Sequence, residues 1–216
     1  MLKFLYVADP MCSWCYGFSK ELVRFLENKP NAELDIVLGG LRAYNTEVLD
    51  ADQREMILSH WDRVQQVSGL PFNMTGLDKS GFIYDTEPAC RAVVAAKILT
   101  EDMPTSVNFL AFQAIQHAFY AEAQDITDEH VLAEIVVEAL NRADRSFTFD
   151  VASFLETMTD VSTKEETRMH FQQIQRWGIR GFPVLLLVQE DGLHMLSSGY
   201  AKCEEVAKNF EALFPS

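Results

Sequence analysis

The period of the hydrophobic positions changes twice along this chain. Lys3 to Ala8 is rich in aromatic and β-branched residues and predicts a strand, which Asp9-Pro10 breaks. Phe18, Leu22, Phe25 and Leu26 recur at i, i+4, i+7 and i+8, so an amphipathic helix is expected from about Cys12 to Glu27, ending before Pro30. Leu34, Ile36 and Leu38 then alternate as a second strand closed by Gly39-Gly40. A strand, a helix and a strand over so short a stretch predict a βαβ unit with parallel strands and a right-handed crossover.

After Arg42 the pattern turns helical. Ile57, His60, Trp61, Val64 and Val67 predict one apolar face, with Gly69 as its stop. Further helices are expected from Thr86-Glu87-Pro88 through Ala96, from about Thr105 to Glu122, and after a Thr127 cap through Val131, Leu132, Ile135 and Leu140. The whole region from Ala51 to Asp160 reads as helix. Ser162-Thr163-Lys164-Glu165 reads as a capping box for another helix that ends at Trp177-Gly178. The strand pattern then returns: Val184 to Val188, a turn at Asp191-Gly192, and Leu193, Met195 and Ser197 predict a buried hairpin. Val206, Phe210 and Leu213 mark a last helix. The two outer parts are each too small to close a sheet and must share one. This predicts an α/β fold in which 1–50 and 163–216 form one domain and 51–162 is a large all-helical insertion.

Composition narrows the function. With 48% apolar and 23% charged residues among 216, the chain is that of a folded globular protein. A net charge of −14 repels phosphate backbones and anionic lipid, so nucleic acid and membrane surfaces are not expected as partners. Leu2 to Ala8 lacks the basic flank and cleavage site of a secretory signal, and no long uncharged apolar run follows. A cytoplasmic protein is expected, in which four cysteines point to chemistry or metal before cross-links.

Cys12-Ser13-Trp14-Cys15 falls where the first strand gives way to the first helix. A spacing of three in a first helical turn brings both sulfurs within disulfide reach. The free N–H groups and the helix dipole favour negative charge at Cys12, the expected nucleophile. Cys15, one turn in, is the expected resolving thiol. Zinc would want a second pair, but Cys90 and Cys203 stand far apart and the five histidines show no H-x-x-x-H spacing, so no metal is expected. Two unrelated buried cysteines remain the plainer alternative. Cys90 and Cys203 themselves read as small buried residues, and Phe109, Phe112, Phe119 and Tyr120 as core.

Gly178-Ile179-Arg180-Gly181-Phe182-Pro183 leads into the apolar strand. A proline there removes one ladder donor, and such a proline is often cis. If the halves share a sheet, Pro183 lies beside the Cys12 helix and Phe182 offers its backbone to an extended peptide; otherwise the stretch is an ordinary turn. His60 and Trp61, on an apolar helix face, read either as packed core or, with Gly181, as the lining of a substrate groove. Asp9 could cap the Cys12 helix, although its charge would oppose a thiolate.

Together these stretches resemble a known family. Val7 to Gly17 is similar to the D-x-x-C-x-W-C-Y-G start of the cytosolic DsbA-like thiol oxidoreductases, and Gly178 to Pro183 to their cis-proline loop. His60-Trp61-x-x-Val64, Gly69-x-Pro71-Phe72, Glu87-Pro88-Ala89-x-Arg91-Ala92 and Asp125 to Asp128 resemble stretches of that family's helical insert. The resemblance implies a thioredoxin-like fold, βαβ and ββα around one mixed sheet with a helical lid. It implies a thiol:disulfide oxidoreductase or disulfide isomerase with Cys12 as nucleophile, Cys15 as resolver and Pro183 as the cis-proline, flanked by Ser13, Trp14 and Phe182. Its partners would be proteins or small molecules carrying thiols or disulfides, and no cofactor is expected beyond the disulfide itself, with glutathione as a cosubstrate. The pair departs from periplasmic DsbA, lacking a His before the second Cys, and from cytosolic relatives with Pro after the first. The same superfamily holds glutathione-dependent isomerases and kappa-type transferases, which carry Ser in place of Cys12. A redox sensor that exchanges its disulfide only to change partners is the non-enzymatic alternative.

Overall fold

A four-stranded sheet forms the centre of the structure, a computed structural model that describes residues 1–143 and 146–214. The strands are β1 (Lys3–Ala8), β2 (Glu33–Leu38), β3 (Val184–Gln189) and β4 (Gly192–Ser198), in the spatial order β2-β1-β3-β4. β1 and β2 are parallel, with Lys3 opposite Glu33, and α1 (Ser13–Glu27) makes the crossover. β3 runs antiparallel to β1 and β4 antiparallel to β3. The N-terminal and C-terminal parts therefore do share one mixed sheet, with the βαβ and ββα order expected of a thioredoxin-like fold.

The alternation of β1 and β2 sorts their side chains onto two faces. Phe4, Tyr6, Leu34, Ile36 and Leu38, joined by Leu185 and Leu187, pack on Phe18, Leu22 and Phe25 of α1. The other face, Val7, Val184 and Leu186, lies under Ile174 of α7 (Val161–Arg176). The first core runs without a break into the helices between the two sheet halves, α2 (Ala51–Ser68), α3 (Glu87–Leu99), α4 (Thr105–Tyr120), α5 (Glu129–Ala143) and α6 (Val151–Thr159). Tyr6 meets the edge of Phe112 on α4 at 5.8 Å between ring centres. Phe109, Phe112, Phe119 and Tyr120 are all buried, as expected. Arg91 ties α3, α5 and α6 together, its guanidinium donating to Glu87, to Glu129 and to the Met158 carbonyl.

Several expectations are corrected in detail. The region from Ala51 to Asp160 is not continuous helix: Gly69 ends α2 in the left-handed conformation at φ 69°, and the Pro71 to Asp85 stretch carries only a 3₁₀ turn at Met74–Leu77 and a bridge from Val48 to Ile83. Asp160, not Ser162, caps α7, accepting the Ser162 N–H at 2.7 Å, and Asp128 rather than Thr127 accepts the first free N–H groups of α5. α6 was not anticipated as a separate helix; Asp150 caps it. On β4, Leu193 and Met195 are exposed rather than buried, and a bulge opposite Leu185 and Leu186 breaks the alternation so that the adjacent Leu196 and Ser197 are both buried. The last helix, α8, covers Cys203–Glu211, with Cys203 half-buried rather than buried and Leu213 beyond its end. The helical face of α2 is narrower than predicted: Trp61 and Val64 are buried, while His60 and Val67 are exposed.

Candidate active site

Cys12 sits one residue before α1, at φ −91° and ψ 113°, where an extended residue hands the chain to the helix. Its N–H donates to the Asp9 carbonyl at 3.0 Å, and its own carbonyl accepts from Tyr16. No side chain caps this helix end, so the first-turn N–H groups are left for the sulfur and for solvent. Cys15 lies one turn deeper and is fully buried. Burial, and then the neighbouring Cys12, push its thiol well above the ordinary range. The two thiols are within hydrogen-bonding reach and, like the others among the described residues, are free.

The loop that opens β3 closes over this pair. The Cys12 thiol points at the Phe182 carbonyl, 3.8 Å away, and the Phe182–Pro183 bond is cis. Phe182 is held by an absence elsewhere: a Cβ on Gly39 would fall 2.4 to 2.7 Å from its ring, so the ring occupies the space a side chain would need. Gly40 follows at φ 60°, a conformation that favours glycine, and turns the chain after β2 back towards Cys12.

Asp9 joins these parts. It does not cap α1. Its buried carboxylate accepts the N–H of Met11 at 2.8 Å and of Leu41 at 2.7 Å, and the Cys90 thiol lies 3.5 Å from it. Burial raises its pKa against the pull of those donors. Cys90 is buried here and Cys203 lies beside Glu21, Arg24 and Lys29, so the two have separate neighbours.

A cavity of about 350 Å³ opens at the Cys12 sulfur. Ser13, Trp14, Gly181 and Phe182 line its near side, and exposed His60 and buried Trp61 its far side. Cys15 and Pro183 lie behind that wall. Sequence reasoning missed the remaining wall, Leu41, Arg42 and Tyr84. These are brought in by the turn after β2 and by the segment before α3, and no local motif marks them. Tyr84 is fixed by its hydroxyl, which donates to the Met11 carbonyl at 2.6 Å. Among the described residues, no group of three or more His, Cys, Asp or Glu is placed to hold a metal ion.

This geometry has counterparts. A family model for the DSBA-like thioredoxin domain matches residues 5–210. The structure is similar to that of a candidate protein disulfide isomerase from Nitrosomonas europaea, with a TM-score of 0.84 and 30% identity over 98% of this chain and 96% of that one. It is also similar to the cytosolic disulfide reductase DsbM from Pseudomonas aeruginosa, with a TM-score of 0.75 and 26% identity over 98% of each chain. A second structure of DsbM, with GSH, matches at a TM-score of 0.74 and 27% identity over 98% of each chain. Among curated proteins, no sequence matches significantly.

Proposed function

The chain belongs to the DSBA-like thioredoxin domain family, and from that premise we propose that it is a thiol:disulfide oxidoreductase in which Cys12 attacks and Cys15 resolves. One observation carries the reading. Cys12 stands at an uncapped helix N-terminus and at the mouth of a cavity, with the fully buried Cys15 one turn behind it.

In the reducing direction the Cys12 thiolate attacks one sulfur of a substrate disulfide. That bond breaks, and the first substrate thiolate leaves and takes a proton. Cys15 then gives up its proton and displaces the second substrate thiol from the Cys12 sulfur. The protein ends with a Cys12–Cys15 disulfide, two electrons have passed to the substrate, and its two sulfurs have taken their protons from Cys15 and from solvent. Run backwards, the same steps oxidise or rearrange substrate thiols, which is the isomerase reading. Pro183 and Phe182 shape the site where a substrate's extended backbone would lie, and residues 51–162, as an inserted helical unit, supply the far wall of the cavity.

No resident cofactor is needed for this chemistry. The GSH in one DsbM structure supports glutathione as a cosubstrate. Among the described residues no helix is long and apolar enough to cross a membrane. The likeness to cytosolic DsbM supports a cytoplasmic setting. The test is a Cys15→Ser variant, which cannot resolve and should hold a substrate as a mixed disulfide on Cys12. A glutathione-dependent isomerase or transferase would turn over a small substrate without accumulating that adduct, and absence of any adduct on Cys12 contradicts the assignment.

A further inference from the structure

The cavity at Cys12 has a charge opposite to that of the protein around it. The chain carries 32 Asp and Glu against 18 Lys and Arg. Yet no carboxylate lines this cavity, while Arg42 and His60 both do. Arg24, Arg54, Arg91 and Arg142 each hold a carboxylate. Among the described residues Arg42, Arg63, Arg168, Arg176 and Arg180 hold none, and of these Arg42 lines the cavity.

Two acids on the segments that flank it are engaged elsewhere. Asp9 turns to the N–H groups of Met11 and Leu41, and Asp85 to those of Tyr44 and Glu87. Arg42 is nevertheless held in place. Its N–H donates to the Thr86 hydroxyl, and its guanidinium lies over the Tyr84 ring at 5.3 Å. Tyr84 is itself anchored on the Met11 carbonyl, next to Cys12. Stacking on an aromatic face orients the planar fork and leaves its edge donors free, which is the arrangement that receives a carboxylate in two parallel hydrogen bonds.

We infer that Arg42 is a specificity-determining residue: it binds a carboxylate of the substrate while the substrate's sulfur meets Cys12, so the site selects small acidic thiols and disulfides. The inference rests on the oxidoreductase reading above and adds to it the class of substrate. A cavity of about 350 Å³ is of the size that encloses a small molecule. The free guanidinium also counters the repulsion that a net charge of −14 would otherwise impose on an acidic substrate.

The step needs no added reagent. Reduced protein supplies two electrons, the substrate disulfide becomes two thiols with protons from Cys15 and water, and Cys12 and Cys15 become joined.

The experiment is single-turnover stopped flow with reduced protein and three small disulfides that differ in charge: 3,3′-dithiodipropionate, bis(2-hydroxyethyl) disulfide and cystamine. Dividing each rate constant by that of a free model thiol removes intrinsic reactivity. Wild-type protein should favour the dianion over the neutral disulfide by about tenfold, the scale of one charge-assisted hydrogen-bonded pair, and less so at high salt. In Arg42→Gln that ratio should fall about tenfold, and Arg42→Lys, which keeps the charge but loses the fork, should restore part of it. A wild-type ratio near one, or a ratio unchanged in Arg42→Gln, overturns the inference and leaves the oxidoreductase reading standing. Failure of the wild-type protein to react with any of the three overturns both.

Discussion

Asp9 and Leu41 are joined by a hydrogen bond of 2.7 Å that runs from the N–H after β2 to a carboxylate at the end of β1. The same carboxylate holds Met11, so one buried acid fixes two walls of the Cys12 cavity. Burial raises its pKa, so over the range between the ordinary value and the raised one the folded state holds the proton more tightly than the unfolded chain. Ionising Asp9 therefore lowers stability as pH rises through that range.

Asp9→Asn removes this titration. The stability of the wild type relative to Asp9→Asn, from urea unfolding at a series of pH values, should decline as pH rises from about 4. A difference that is flat or rises with pH contradicts the burial argument.

The two active-site thiols differ in access. Cys12 opens to the cavity, whereas Cys15 is fully buried with its thiol pushed well up. Iodoacetamide added to the reduced, folded protein below pH 7 should therefore label Cys12 and leave Cys15 and Cys90 unmodified on peptide mapping. Equal labelling of Cys12 and Cys15 would reject the assignment of nucleophile and resolver.

Gly39 gives Phe182 its place, and a methyl group there must displace the ring. Gly39→Ala should cost about 1 to 3 kcal/mol of stability, as overpacking does, and slow disulfide exchange several-fold. The cost should shrink in a Phe182→Ala background, where the clash is gone. An equal cost in both backgrounds would mean that Phe182 is not what Gly39 accommodates.

His170 accepts the N–H of Leu38 through Nδ1 at 3.2 Å, which requires the ring to be neutral. Burial first, and then Lys97, lower its pKa to about 4, with Asp35 opposing. Because its folded value lies below the unfolded one of about 6.5, the stability it provides is complete above pH 6.5 and is lost as pH falls towards 4. His170→Gln, whose amide oxygen can accept the same N–H, should flatten the acid limb of the stability profile over that window by up to about 3 kcal/mol. An acid limb identical to that of the wild type would show that this histidine does not titrate with unfolding.

What could be read from the sequence divides by range. Cys12 and Cys15 are three residues apart on one helical turn, so their proximity follows from local geometry alone. The parallel pairing of β1 and β2 follows from the strand–helix–strand order, and their two faces from alternation. Arg42 over Tyr84, Phe182 against Gly39 and Cys90 beside Asp9 are instead contacts between distant parts of the chain, and nothing in the local pattern encodes them. His60 and Trp61 show the limit of periodicity itself: adjacent on α2, they read as one apolar face, but the helix buries only Trp61 and leaves His60 at the cavity rim. The adjacent burial of Leu196 and Ser197 comes from a single bulge, which no alternation of period two announces.

The central claim is that Cys12 and Cys15 form a reversible disulfide. Its most direct measurement is redox equilibration of the wild-type protein in a series of thiol/disulfide buffers, followed by acid quenching, alkylation and peptide mapping. The account predicts one two-electron transition in which Cys12 and Cys15 become joined while Cys90 and Cys203 stay free. A protein that forms no Cys12–Cys15 disulfide at any poise, or that pairs either of them with Cys90 or Cys203 instead, would contradict it.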